Sequence, residues 1–124
     1  MNMVSFIEKE RMIKMNENQQ KYFEHVVKVL DKRTVLEQLA EESSEITKAS
    51  LKVIRADNLS KSTTSMTYEE SMKNLIEEIN DVRMIISLLK HKYPELNNTL
   101  PEDKEILKNP NWKRWAFGLG YTEK

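Results

Sequence analysis

The helix-start signature Thr-x-x-Glu occurs three times in this chain, at Thr34/Glu37, Thr67/Glu70 and Thr99/Glu102, the last with Pro101 beside it. In such a box the hydroxyl accepts from a free backbone N–H of the first helical turn while the glutamate reaches back. The boxes predict helices from about Val35 to Arg55, from Tyr68 to Lys92, and a short one after Leu100. Upstream, Tyr22, Phe23, Val26, Val27 and Leu30 recur at helical spacing and predict a helix from about Asn18 to Lys32. Pro94 disfavours helix past Tyr93. The Ser/Thr-rich stretch ADNLSKSTTSMT reads as the loop between the two long helices. No segment alternates apolar and polar residues as a half-buried strand would. The expected fold is all-α, a bundle of long antiparallel helices within one domain over 1–124, with a core over 18–93 and a C-terminal helical flap over 99–124.

Composition narrows the function. Twenty basic and twenty acidic residues cancel, so no global field draws nucleic acid or an anionic membrane. Cysteine is absent, which removes disulfides, thiolate nucleophiles and Cys-type zinc sites. The N-terminal MNMVSFIEKERMIKM interrupts its apolar residues with charge, unlike a signal peptide, and no apolar run reaches membrane-spanning length. A cytoplasmic protein without membrane or nucleic-acid partners is expected. Both glycines, Gly118 and Gly120, lie near the C-terminus, so a glycine-rich phosphate loop is excluded.

The acids carry the chemistry. In LAEESSEITKASLK, Glu42 and Glu45 flank a stripe of Leu36, Leu39, Ile46 and Val53. In NLIEEINDVRMIISLLK, Glu78 and Asp81 lie within or beside a stripe of Met72, Leu75, Ile79, Val82, Ile86 and Leu89, widened by Ile85 and Leu88. An unpaired carboxylate on a core face costs several kcal/mol, so such acids are paired, protonated or metal-bound. If the helices pack antiparallel, Glu42, Glu45, Glu78 and Asp81 converge, and hard oxygen donors in that number suit Mg²⁺ or Mn²⁺. A di-iron bundle would need Glu-x-x-His, but Tyr22 and Leu88 stand three residues before His25 and His91. Glutamate pairs on helices also occur as plain solvated faces, which is the competing reading of the first pair.

The ordered pair EESSE and EIND resembles the Glu-x-x-Glu and Glu-x-x-Asp signatures of the MazG-like all-α nucleoside triphosphate pyrophosphohydrolases. The resemblance runs from about Val35 to Leu89, with 32 residues between Glu45 and Glu78, somewhat more than is usual there. It implies Mg²⁺-dependent cleavage of a nucleoside triphosphate, a dNTP above all, to the monophosphate and pyrophosphate. Glu42, Glu45, Glu78 and Asp81 would be the metal ligands. Glu41 and Glu45 are both candidates for the base that takes the proton of the attacking water. Lys52, with Lys48 and Arg55, is placed to meet phosphate oxygens; the alternative is a solvated basic edge pairing with nearby acids. Trp112 and Trp115, beside Lys113 and Arg114, offer rings for a nucleobase, or else cover the end of the bundle. Two other functions fit the same residues: a non-enzymatic oligomeric helical module, and a relative that binds nucleotide without cleaving it. In each case a homo-oligomer, a dimer or a dimer of dimers, is expected, because apolar residues occupy opposite sides of the second long helix (Ile76 and Met84, Ile79 and Ile86).

Overall fold

A computed structural model describes residues 17–59, 64 and 66–123. Among these residues there are helices and no strands. In chain order they are α1 (17–29), α2 (Lys32–Ala56), α3 (Tyr68–Lys92), α4 (Pro94–Thr99), a 3-10 turn at Ile106–Lys108, and α5 (Asn111–Gly118). The segment MNMVSFIEKERMIKM and most of the Ser/Thr-rich stretch lie outside the described residues. No helix among the described residues is long and apolar enough to cross a membrane.

The chain divides into two compact units, one holding the described residues up to Asp31 with those from Pro101 onward, the other Lys32–Leu100. In the first, α1 buries Tyr22, Phe23, Val26 and Leu30, the expected helical spacing. The Phe23 ring meets the Trp112 ring edge-on at 4.8 Å, and the indole N–H of Trp112 donates to the carbonyl of Ile106 at 2.9 Å. A buried indole needs such a partner, because an unpaired donor carries its full desolvation cost. The last residues are tied back to α1: Tyr22 donates to the Glu123 carboxylate at 3.1 Å, and His25 Nε2 lies 2.9 Å from the Leu119 carbonyl.

The second unit is built on α2 and α3, each 25 residues long, packed against one another. They run antiparallel: the Lys32 ammonium, at the start of α2, sits 5.0 Å from the centre of the Tyr93 ring, just past the end of α3. Val35 and Ala49 of α2 are buried, as are Ser71, Met84, Ile85, Ser87, Leu88 and Leu89 of α3.

Several local expectations are corrected. Thr67 caps α3 as its box predicts: its hydroxyl accepts from the Glu70 N–H and donates to the Glu70 carboxylate, both at 3.1 Å. Thr34 is no cap, since α2 already begins at Lys32; Glu37 instead pairs with Arg33 at 2.9 Å. Thr99 closes α4, its hydroxyl donating back to the Glu95 carbonyl, and no helix starts beside Pro101. Ahead of the 3-10 turn, the Asp103 carboxylate accepts from the Ile106 N–H. Pro94 does end α3, with Tyr93 extended, and then starts α4 at the position where its missing N–H costs nothing. The apolar stripe of α3 is corrected too. Ile79 is exposed, and Met72, Leu75, Val82 and Ile86 are only half-buried, whereas Ile85, Leu88 and Leu89 are fully enclosed. The face that α3 buries is therefore rotated from that stripe and keeps only its last member, Leu89.

Candidate metal centre

Glu42 lies near the middle of α2, and Glu78 and Asp81 stand three residues apart near the middle of α3. Residues three apart share a helix face, so both α3 acids are presented together. The antiparallel pairing sets them opposite Glu42. One carboxylate oxygen from each of the three residues lies within 4.8 Å of the other two, and all three side chains are half-buried. Among the described residues no other group of three or more acids, histidines or cysteines comes this close.

The electrostatics follow from that crowding. Burial pushes the Glu42 carboxyl up to about 7, helped by a hydrogen bond with Glu78 and by the negative charges of Asp81, Glu78 and Glu45. Two carboxyl groups can share a hydrogen bond only when one keeps its proton. The site thus accepts positive charge at near-neutral pH. Three carboxylate oxygens in this arrangement are the donor set of a hard divalent cation, with water able to complete an octahedral shell.

The other expected site residues fall into three groups. Glu45 is not brought into the triad: it is exposed, its carboxylate 3.4 Å from the Lys48 ammonium, although its charge reaches Glu42. Glu41 is exposed and, with Ala40, Glu42, Ser44 and Glu45, lines an open groove of about 630 Å³. Glu41, Glu45, Lys48, Lys52 and Arg55 follow one another at three- and four-residue steps and form a continuous charged face, acids first and bases last. Lys52 and Arg55 are half-buried, and Lys52 lies about 15 Å along the helix axis from Glu42. Of its two readings, the nucleobase platform does not fit Trp112: it is fully buried, so neither ring face is open. Trp115 is half-buried with its ring 5.4 Å from that of Trp112. Tryptophan beside basic residues looks the same in sequence whether it stacks on a ligand or plugs a core; only the partner ring of Phe23 decides.

No protein-family model matches this chain, and neither the curated proteins nor the solved structures contain a match to it.

Proposed function

We propose that the chain is a metal-dependent nucleoside triphosphate pyrophosphohydrolase of the MazG-like kind, converting a nucleoside triphosphate, by preference a dNTP, to the monophosphate and pyrophosphate. The observation that carries this reading is the meeting of Glu42, Glu78 and Asp81 from two helices within 4.8 Å. Three acids so placed repel one another unless a proton or a cation lies among them, and a purely structural helix contact has no use for that cost. The correspondence of these three residues with the EESSE and EIND signatures supports the same reading.

Glu42, Glu78 and Asp81 would hold Mg²⁺ or Mn²⁺. Bound there, the ion would neutralise the triphosphate and supply an activated water. Glu41 or Glu45, outside the triad on the same helix, would take the proton as the water oxygen bonds to the α-phosphorus. The bond from that phosphorus to the α–β bridging oxygen breaks, and pyrophosphate leaves. Lys48 lies 3.4 Å from the Glu45 carboxylate, while Lys52 and Arg55 would extend positive charge along α2 toward the departing phosphates. The reading includes a cytoplasmic homo-oligomer, a dimer or a dimer of dimers.

A panel of canonical and modified NTPs and dNTPs with Mg²⁺, separated chromatographically, tests it. Monophosphate and pyrophosphate from at least one substrate are expected. Diphosphate with orthophosphate would mean cleavage at the γ-phosphorus, and the proposal would fall. Nucleotide that binds in the presence of Mg²⁺ and is never cleaved would reduce the protein to a nucleotide-binding relative.

A further inference from the structure

Asparagine is a mediocre residue for a helix interior, because its carboxamide competes for backbone groups. Asn74 nevertheless stands inside α3, half-buried on the face turned toward α2. Polar side chains around it are taken up locally: Ser71 donates to the Tyr68 carbonyl, Ser50 to the Ile46 carbonyl, and Asn80 accepts from Arg83. The Asn74 carboxamide has no hydrogen-bond partner among the described residues. Ala49, near its level on the facing helix, is buried and offers only a methyl group.

Its place relative to the triad follows from the helix geometry. Asn74 precedes Glu78 by four residues and Asp81 by seven, so it lies within about 40° of both around the axis. Glu45 and Lys52 are turned by roughly 60–80° from Glu42, and Asn74 and Asp81 by roughly 40–60° from Glu78, in the same sense seen along each chain. Because α2 and α3 run in opposite directions, equal senses bring all four to one side of the pair. With Glu42 level with the midpoint of Glu78 and Asp81, the helical rise sets Asn74 about 8 Å along the pair from the triad, and Lys52 about 15 Å, in the same direction. Asn74 thus stands about halfway between the acids and Lys52. Gln38 of α2, also half-buried and one turn from Glu42, lies the other way along the pair.

We infer that Asn74 binds the pyrophosphate half of the substrate, its carboxamide N–H donating to an oxygen of the β-phosphate before cleavage and of free pyrophosphate after it. A triphosphate whose α-phosphate meets the metal and whose far end reaches Lys52 passes this residue on the way. The amide offers two donors and no charge. It therefore adds no repulsion to a stretch that already carries Glu45, and it does not titrate as the leaving group gathers charge. The assignment rests on the pyrophosphohydrolase reading for the identity of the ligand and on the helix geometry for the choice of residue.

Isothermal titration of the Mg²⁺-loaded chain with pyrophosphate, and separately with a deoxynucleoside monophosphate, tests it. Asn74→Ala should weaken pyrophosphate about tenfold to a hundredfold, the range of one hydrogen bond to a charged group, and leave the monophosphate unchanged. Alanine is the better helix former, so the fold survives the exchange. Asn74→Asp keeps the shape but sets a carboxylate against the anion, and should bind pyrophosphate more weakly still. Gln38→Ala, the matching deletion on the far side of the triad, should leave pyrophosphate binding as it is. The rise in melting temperature caused by Mg²⁺ alone should be the same in Asn74→Ala and wild type. A wild type that takes up no pyrophosphate, an Asn74→Ala chain that binds it as tightly as wild type, equal losses for both ligands, or a Gln38→Ala loss as large as that of Asn74→Ala would each overturn the assignment. A wild type that binds pyrophosphate but releases none from any nucleoside triphosphate would instead remove the pyrophosphohydrolase reading and leave Asn74 as a pyrophosphate-binding residue.

Discussion

Glu42 of α2 meets Glu78 of α3 at mid-length of the two long helices, and burial together with a hydrogen bond to Glu78 pushes the Glu42 carboxyl up to about 7. In the unfolded chain the same carboxyl titrates near 4.5, against about 7 in the fold. The folded state therefore binds the proton more tightly. Its contribution to stability is fully present below about pH 4.5 and is lost as pH rises through 7. Discounted for the solvent that reaches the triad, the loss should be on the order of 1 kcal/mol. Urea unfolding of chelator-treated protein between pH 5 and 8 measures it. Glu42→Gln should flatten the slope, and a wild-type curve already flat over that range would contradict the raised Glu42 carboxyl.

Saturating Mg²⁺ should remove the same pH dependence and raise the melting temperature. At a hundred times its dissociation constant, a ligand confined to the folded state contributes about 2.7 kcal/mol, which in a domain of this size is a rise of about ten degrees. Asp81→Asn should abolish that rise while leaving the metal-free protein as stable as wild type or more so, because one repelling charge has gone. Thermal melts with Mg²⁺ and with chelator separate the two effects. An Asp81→Asn chain that unfolds without metal would assign this residue a structural role instead.

Trp112→Ala should cost about 3–5 kcal/mol, the range for deleting a large buried side chain. The change removes the ring against Phe23 and one of the two hydrogen bonds that the Ile106 carbonyl accepts, the other coming from the Asn109 N–H. Trp115→Ala, at a half-buried position, should cost clearly less. Guanidinium unfolding of the two variants ranks them. The reverse order would mean that the Trp112 pocket is not the centre of this unit.

The three threonines that look alike in sequence should separate on mutation. Thr67→Ala removes a cap and should cost about 1 kcal/mol. Thr34→Ala lies inside α2 and should fall within about 0.5 kcal/mol of wild type. Equal losses in parallel chemical denaturation would contradict the observed start of α2 at Lys32.

Sequence alone determined what local chemistry controls. The scarcity of glycine and the absence of alternating patterns leave helix as the economical state of this backbone. The range of α3 was legible to the residue, because Thr67 caps its start and Pro94 forbids its continuation, and both effects act within a few positions. Glu42, Glu78 and Asp81 were legible as candidates because acids beside an apolar stripe require an explanation wherever the stripe ends up. Tertiary structure decided the rest, since it depends on partners remote in the chain. Thr34 and Thr99 carry the same box as Thr67, but the helix on one side had already begun and on the other had just ended. Glu45 has the spacing of a ligand, yet its carboxylate turns to Lys48 on its own helix. The α3 stripe from Met72 to Ile86 keeps helical period, but Met84, Ile85 and Leu88, to one side of it, are the residues that are enclosed. Period marks which residues share a face; only a packing partner, at a definite height and rotation, decides which face becomes the core and which acids meet.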